Sequence, residues 1–175
     1  KSGVVDINIP EVINGVFYEA MKNEVSLDAM QGNFIDLFGD VELSPQAMLL
    51  LVKIAASSLA LESINISNNN LGEYGPAIAA ELAKSYTLKS INMSGCNLGE
   101  YGPAMAAELA KLPTLQVIDM SGCNLGEYGP ATAAELAKSD ALEINMSANN
   151  LGAHGPATAA ELAKSDALEI NMSGN

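Results

Sequence analysis

The sequence predicts an α/β solenoid. In it, coils pile into a curved stack with a parallel sheet on the concave face and helices on the convex face, behind a mainly helical N-terminal cap. Three observations carry that expectation. From Leu61 onward the chain repeats itself every 26–27 residues. Each period joins a short alternating segment to an Ala-rich segment that opens on Gly-Pro. Residues 1–60 carry no copy of that unit.

The repeat is direct. Leu71–Ala77, Leu98–Ala104 and Leu125–Ala131 all read Leu-Gly-Glu-Tyr-Gly-Pro-Ala, and Leu151–Ala157 reads Leu-Gly-Ala-His-Gly-Pro-Ala. Each leads into Ala-Ala-Glu-Leu-Ala-Lys. The preceding isoleucines, Ile64, Ile91, Ile118, Ile144 and Ile170, are spaced 27, 27, 26 and 26 residues apart. One residue is missing between Leu142 and Ile144 relative to Leu61-Glu-Ser-Ile64, which accounts for the shorter period.

The first element of each period is a half-buried strand. Ser63–Ser67, Ser90–Ser94 and Val117–Ser121 place Ile and Met or Ile at alternate positions, so that one side is apolar. The second element is a helix over Pro76–Lys84 and its copies, with Pro in the first turn followed by strong helix formers. Gly72 and Gly75 supply the turns between them. One such coil cannot bury its apolar side alone, and stacking on its neighbours makes the core continuous. Every coil runs the same way, so the strands pair in parallel. Strands stack about 4.8 Å apart and helices about 8–10 Å apart, so the helical side is the wider one and the stack curves. Ala77, Ala79, Ala80 and Ala83 reduce that mismatch by letting helices approach closely.

These residues resemble a known pattern. Leu61, Ile64, Ile66, Asn69 and Leu71 fit the core of a leucine-rich repeat. The next copies are Leu88, Ile91, Met93, Cys96, Leu98 and Leu115, Ile118, Met120, Cys123, Leu125. The sequence is similar to the ribonuclease-inhibitor-like subclass, whose variable half is a helix entered through a glycine-rich turn. The likeness covers residues 61–175 and implies a curved leucine-rich-repeat solenoid that binds protein on its concave sheet. It also implies that the slot after the strand, filled by Asn69, Cys96, Cys123, Asn149 and Asn175, points inward and satisfies backbone groups in the bend. Cys96 and Cys123 lie one period apart, about 5 Å in Cα separation, which a disulfide can span. Stacked equivalents have parallel Cβ vectors, which suit a bridge poorly, so buried structural thiols are the favoured reading.

Residues 1–60 read as an N-terminal helical cap plus a degenerate first repeat, before leucine-rich repeats over 61–175. They hold Phe17, Phe34 and Phe38. Ile13–Met21 and Leu27–Phe38 look helical. Ser44-Pro45 starts a helix, with Ser as cap and Pro in the first turn, and Met48–Ala55 is apolar nearly all round, as a doubly covered helix would be. Terminal repeats are expected to be atypical because they close the core.

Composition narrows the function. The 175 residues carry 8 basic and 21 acidic side chains, a net charge of −13. Such a field opposes nucleic acid and anionic membrane surfaces as partners. All basic residues are Lys, so bidentate arginine clamps are absent. At 49% hydrophobic the chain can bury a sizeable core. No stretch reaches the roughly 18 uncharged apolar residues of a membrane span. No signal peptide is visible and two cysteines make no disulfide framework, so an intracellular, cytoplasmic setting is the expectation unless an N-terminal signal has been removed.

Enzymatic constellations fail in turn. His154, the one histidine, sits in a repeated turn slot, which leaves no Ser-His-Asp set. No metal-ligand spacing exists, and Gly-Glu-Tyr-Gly-Pro lacks the Lys-Ser/Thr of a phosphate loop. No cofactor is implied, and no catalytic residue is assigned.

The candidate surface is the concave face: Ser63, Asn65, Ser67, Ser90, Asn92, Ser94, Val117, Asp119, Ser121, Asn145 and Ser147. Asn and Ser ladders there either receive a partner or satisfy one another between strands. A second, weaker candidate is the edge formed by Tyr74, Tyr101, Tyr128 and His154, beside Glu73, Glu100 and Glu127. The expected function is a non-enzymatic scaffold for a protein partner with a basic surface. The alternative is a self-associating structural or engineered repeat module, a homo-oligomer joined through the C-terminal strand edge. The near-identity of the repeats and an unpaired strand edge at Ile170–Asn175 suggest it.

Overall fold

The computed structural model describes residues 34–36, 44–56 and 61–175. Six short strands form one parallel sheet in chain order: β1 (Phe34–Asp36), β2 (Ser63–Asn65), β3 (Ser90–Asn92), β4 (Val117–Asp119), β5 (Glu143–Asn145) and β6 (Glu169–Asn171). Helices alternate with them: α1 (Pro45–Ala56), α2 (Gly75–Leu82), α3 (Gly102–Leu109), α4 (Gly129–Leu136) and α5 (Gly155–Leu162). The last four helices each follow a single 3-10 turn such as Gly72–Tyr74. The repeating strand–turn–helix unit forms the expected α/β solenoid.

The register places Ile35, Ile64, Ile91, Ile118, Ile144 and Ile170 in one line across the sheet. Ile64, Ile91, Ile118 and Ile144 are buried, while Ile170, on the outer strand, is 37% exposed. Leu71, Leu98, Leu125 and Leu151 close the core beneath the turns, and Leu82, Leu109, Leu136 and Leu162 close it from the helices. Each such side chain contributes about 1.5–3 kcal/mol when withdrawn from water. The core is therefore one continuous column.

Each strand ends after three residues because a side chain redirects the backbone. The Asn65 carboxamide oxygen accepts the Ser67 N–H at 3.1 Å, and Asn92, Asp119, Asn145 and Asn171 do the same for the serine two residues on. The next residue is left-handed in every coil: Asn68, Gly95, Gly122, Ala148 and Gly174. Neighbouring bends bond to each other through the backbone, as from Asn68 N–H to the Ser94 carbonyl at 2.7 Å.

The inward slot joins coils as the family likeness implied. Asn149 Nδ2 donates to the Met146 carbonyl of its own coil at 3.0 Å and to the Met120 carbonyl of the preceding one at 2.9 Å. Cys96 and Cys123 donate through Sγ to the Ile66 and Met93 carbonyls, each at 3.1 Å. Both thiols are free and buried. Burial pushes Cys96 up to about 12 and Cys123 up to about 11. The buried-thiol reading holds over the bridge.

Two expectations change. Phe34–Asp36, placed in a helix over Leu27–Phe38, is a strand instead, because β2 offers its edge and the sheet hydrogen bonds outweigh local propensity. The helices expected to reach Lys84 stop at Leu82: the Lys84 N–H bonds back three residues to Glu81, tightening the last turn, and Ser85 Oγ takes the Thr87 and Leu88 N–H groups. The helix expected over Ile13–Met21 lies outside the described residues. The Ser44 cap is as expected, its hydroxyl accepting the Ala47 N–H at 3.2 Å.

Candidate functional site

The concave side chains stand on either side of the buried isoleucines. Ser63 and Asn65, Ser90 and Asn92, and Val117 and Asp119 are half-buried, as is Asn145 on β5. The asparagines present their carboxamides partly to the turn below, since each oxygen is already an acceptor there. Asp119 is engaged twice: Oδ1 accepts the Ser121 N–H at 2.8 Å and Oδ2 accepts Asn145 Nδ2 at 3.0 Å. That lateral bond is one rung of the between-strand ladder.

The serine column is less accessible than a strand pattern suggests. Ser67 is buried, with its hydroxyl donating to Asn65 Oδ1 at 2.7 Å, so it is not presented on the concave face. The strands end before the serines, and the bend turns Ser67 inward. Ser94, Ser121 and Ser147 are half-buried.

A shallow depression of about 210 Å³ opens on the concave face over β4, β5 and β6, lined by Val117, Ile118, Asp119, Glu143, Ile144, Asn145, Glu169 and Asn171. Glu143 and Glu169 are exposed and face each other across adjacent strands. Sequence reasoning passed over both, although they occupy the position of Ser63, Ser90 and Val117. The shortening of these coils obscures the column: the missing residue falls before Ala141 and not between Leu142 and Ile144, because the register sets Glu143 beside Val117, and counting back one residue from each interior isoleucine recovers the column. Also unforeseen is an asparagine ladder on the bends: Asn97 Nδ2 donates to Asn70 Oδ1 at 3.3 Å, Asn124 to Asn97 at 3.5 Å and Asn150 to Asn124 at 3.2 Å.

The tyrosine edge is mixed in character. Tyr74 packs on the core and its hydroxyl accepts Gln46 Nε2 at 2.6 Å. Tyr101 is partly exposed, and its phenol is pushed above the ordinary value by the Glu100 charge first, with desolvation and Glu73 adding to it. Tyr128 and His154 are exposed. The last two turns also hold a buried threonine bond: Thr132 and Thr158 donate to the Tyr128 and His154 carbonyls at 2.9 and 2.8 Å. Among the described residues no group of His, Cys, Asp and Glu is placed to hold a metal ion, and no helix is long and apolar enough to cross a membrane.

Comparison with known proteins agrees with this geometry. A family model described as Leucine Rich Repeat matches residues 60–82. Among solved structures, the tropomodulin C-terminal domain from a Caenorhabditis elegans structural genomics project is similar. It is 12% identical, has a TM-score of 0.60, and the match covers 87% of this chain and 92% of that one. No curated protein matches the sequence. The repeated strand–turn–helix coils have the fold of a leucine-rich-repeat solenoid, and the family model matches one of them.

Proposed function

We propose that this chain is a non-enzymatic interaction scaffold that takes a basic protein partner on its concave face. The observation that carries the reading is the surface itself: the aligned strands β2–β5 turn one row of side chains into the core and the flanking rows outward. The charge follows from the ion pairs. Lys84, Lys111, Lys138 and Lys164 each pair with the glutamate three residues earlier, at 2.6–2.8 Å, and Lys89 pairs with Glu62 at 2.9 Å. These lysines are matched, and the acidic surplus of the chain is not. A field of that sign speeds encounter with a cationic partner and makes it salt-sensitive.

The test uses paired variants of equal charge change. Ser90→Lys and Val117→Lys on the concave face should abolish capture of a partner that the unaltered chain retains at low salt. Ala104→Lys and Ala131→Lys, exposed on the convex helices, should leave capture intact. Capture that survives the concave pair, is lost with the convex pair, or is indifferent to salt contradicts the reading.

A further inference from the structure

The coils are close copies on the convex side and differ on the concave side. Pro-Ala-x-Ala-Ala-Glu-Leu-Ala-Lys recurs in all four repeats. The column just before the interior isoleucine does not recur: it runs from Ser63 and Ser90 through Val117 to Glu143 and Glu169. Its neighbour runs from Glu62 and Lys89 through Gln116 to Leu142 and Leu168. Two ends of one sheet therefore carry different chemistry on the same backbone.

At the β2–β3 end the charges cancel, with Lys89 Nζ 2.9 Å from Glu62 Oε1. At the β5–β6 end they do not. Glu143 and Glu169 are register partners, about 4.8 Å apart at the backbone, and neither is in an ion pair among the described residues. Like charges directly opposite each other on adjacent strands are a cost to the sheet. Beside them lie Leu142, 42% exposed between two flanking coils, and Leu168 at the same place in the next coil. The depression over β4–β6 lies against the same carboxylates, with Val117 on its far side. A cationic group between Glu143 and Glu169 relieves their repulsion, and its aliphatic stem can lie along Val117. An adjacent apolar side chain covers Leu142 and Leu168.

We infer that the concave surface over β4–β6 sets partner selectivity, and that its occupant is a protein segment in which a lysine or arginine neighbours a bulky apolar side chain. The inference rests on the concave-face reading above and narrows it to one end of the sheet. The full chain, labelled with 15N and with 13C at its methyl groups, is titrated with a lysine–leucine peptide and with a lysine–serine peptide of equal charge. The expected result is chemical-shift change centred on Val117, Leu142 and Leu168 with the first peptide, and about tenfold weaker binding of the second. Glu143→Gln with Glu169→Gln should weaken the lysine–leucine peptide about fivefold to tenfold, while the methyl spectrum shows the fold retained. Shifts centred on Ser63 and Ser90, equal affinity for the two peptides, or no binding of the first overturn the inference and leave the concave-face reading standing. Shifts centred on the convex helices overturn both.

Discussion

Ala148 holds a backbone conformation that the other coils give to glycine or asparagine. Its φ is +53°, at the position of Asn68, Gly95, Gly122 and Gly174. A Cβ in the left-handed region costs about 1–2 kcal/mol, and the extra unfolded freedom of glycine returns part of that. Ala148→Gly should therefore raise stability by about 0.5–1 kcal/mol, read as a higher urea midpoint at unchanged slope. The glycines at this position announce a bend, but nothing in Ala148 itself does. The two thiols give a second residue-level expectation. Each has its pKa raised by burial, to about 12 for Cys96 and about 11 for Cys123, against an ordinary value of 9.0. Below about pH 9 both states keep their protons and stability is unaffected; from about pH 9 to about pH 11 the unfolded chain releases protons that the native chain retains, so stability falls. Urea melts across that range should show the decline, and Cys96→Ala with Cys123→Ala should flatten it. An aromatic disulfide reagent at neutral pH should find no thiol in the native chain and both after denaturation.

Helix starts show what stacking demands of each element. A Cβ added to Gly129 would lie 2.4 Å from Leu151 Cδ2 and 2.9 Å from Thr158 Oγ1, whereas one added to Gly155 would meet nothing within 4 Å. Gly129→Ala should cost about 1–3 kcal/mol, while Gly155→Ala should be neutral or stabilise by up to about 1 kcal/mol through helix propensity. Thermal melts of the two variants make the comparison, and equal effects would contradict the observed packing. The four repeated helices and the five repeated strands were legible because Gly-Pro-Ala and the alternation Ile-x-Ile or Ile-x-Met mark them locally. Phe34–Asp36 was not, since its strand state comes from the partner β2 rather than from its own sequence. The concave candidates were legible as far as the strands run. Alternation carried the outward assignment on into Ser67, past the Asn65 carboxamide that ends the strand and buries it. Glu143 and Glu169 were missed for a related reason: a deleted residue shifts the count while the backbone register stays fixed.

At the scale of the molecule the line of isoleucines is the shared support. Ile118 is fully buried in the middle of that line, so Ile118→Asp places an unpaired carboxylate among apolar side chains on both neighbouring coils. Loss of more than about 4 kcal/mol is expected, seen as collapse of the far-ultraviolet circular dichroism at ambient temperature. The same charge at Ile170, 37% exposed on the outer strand, should cost far less. The architecture could be read from the period alone because each coil contacts its neighbours through equivalent residues. The chemistry that distinguishes one end of the concave sheet from the other depends on which side chains the register sets side by side.

The hydrogen bonds that join successive bends, such as Ile66 N–H to the Asn92 carbonyl at 2.8 Å and Met146 N–H to the Asn171 carbonyl at 2.8 Å, run along the stacking axis. Tension applied between the two ends of the array loads these junctions in series, so the weakest opens first and the rest follow singly. Each released 27-residue coil lengthens the tether by about 90 Å. Stretching a single molecule between its ends should therefore show stepwise lengthening, one coil at a time.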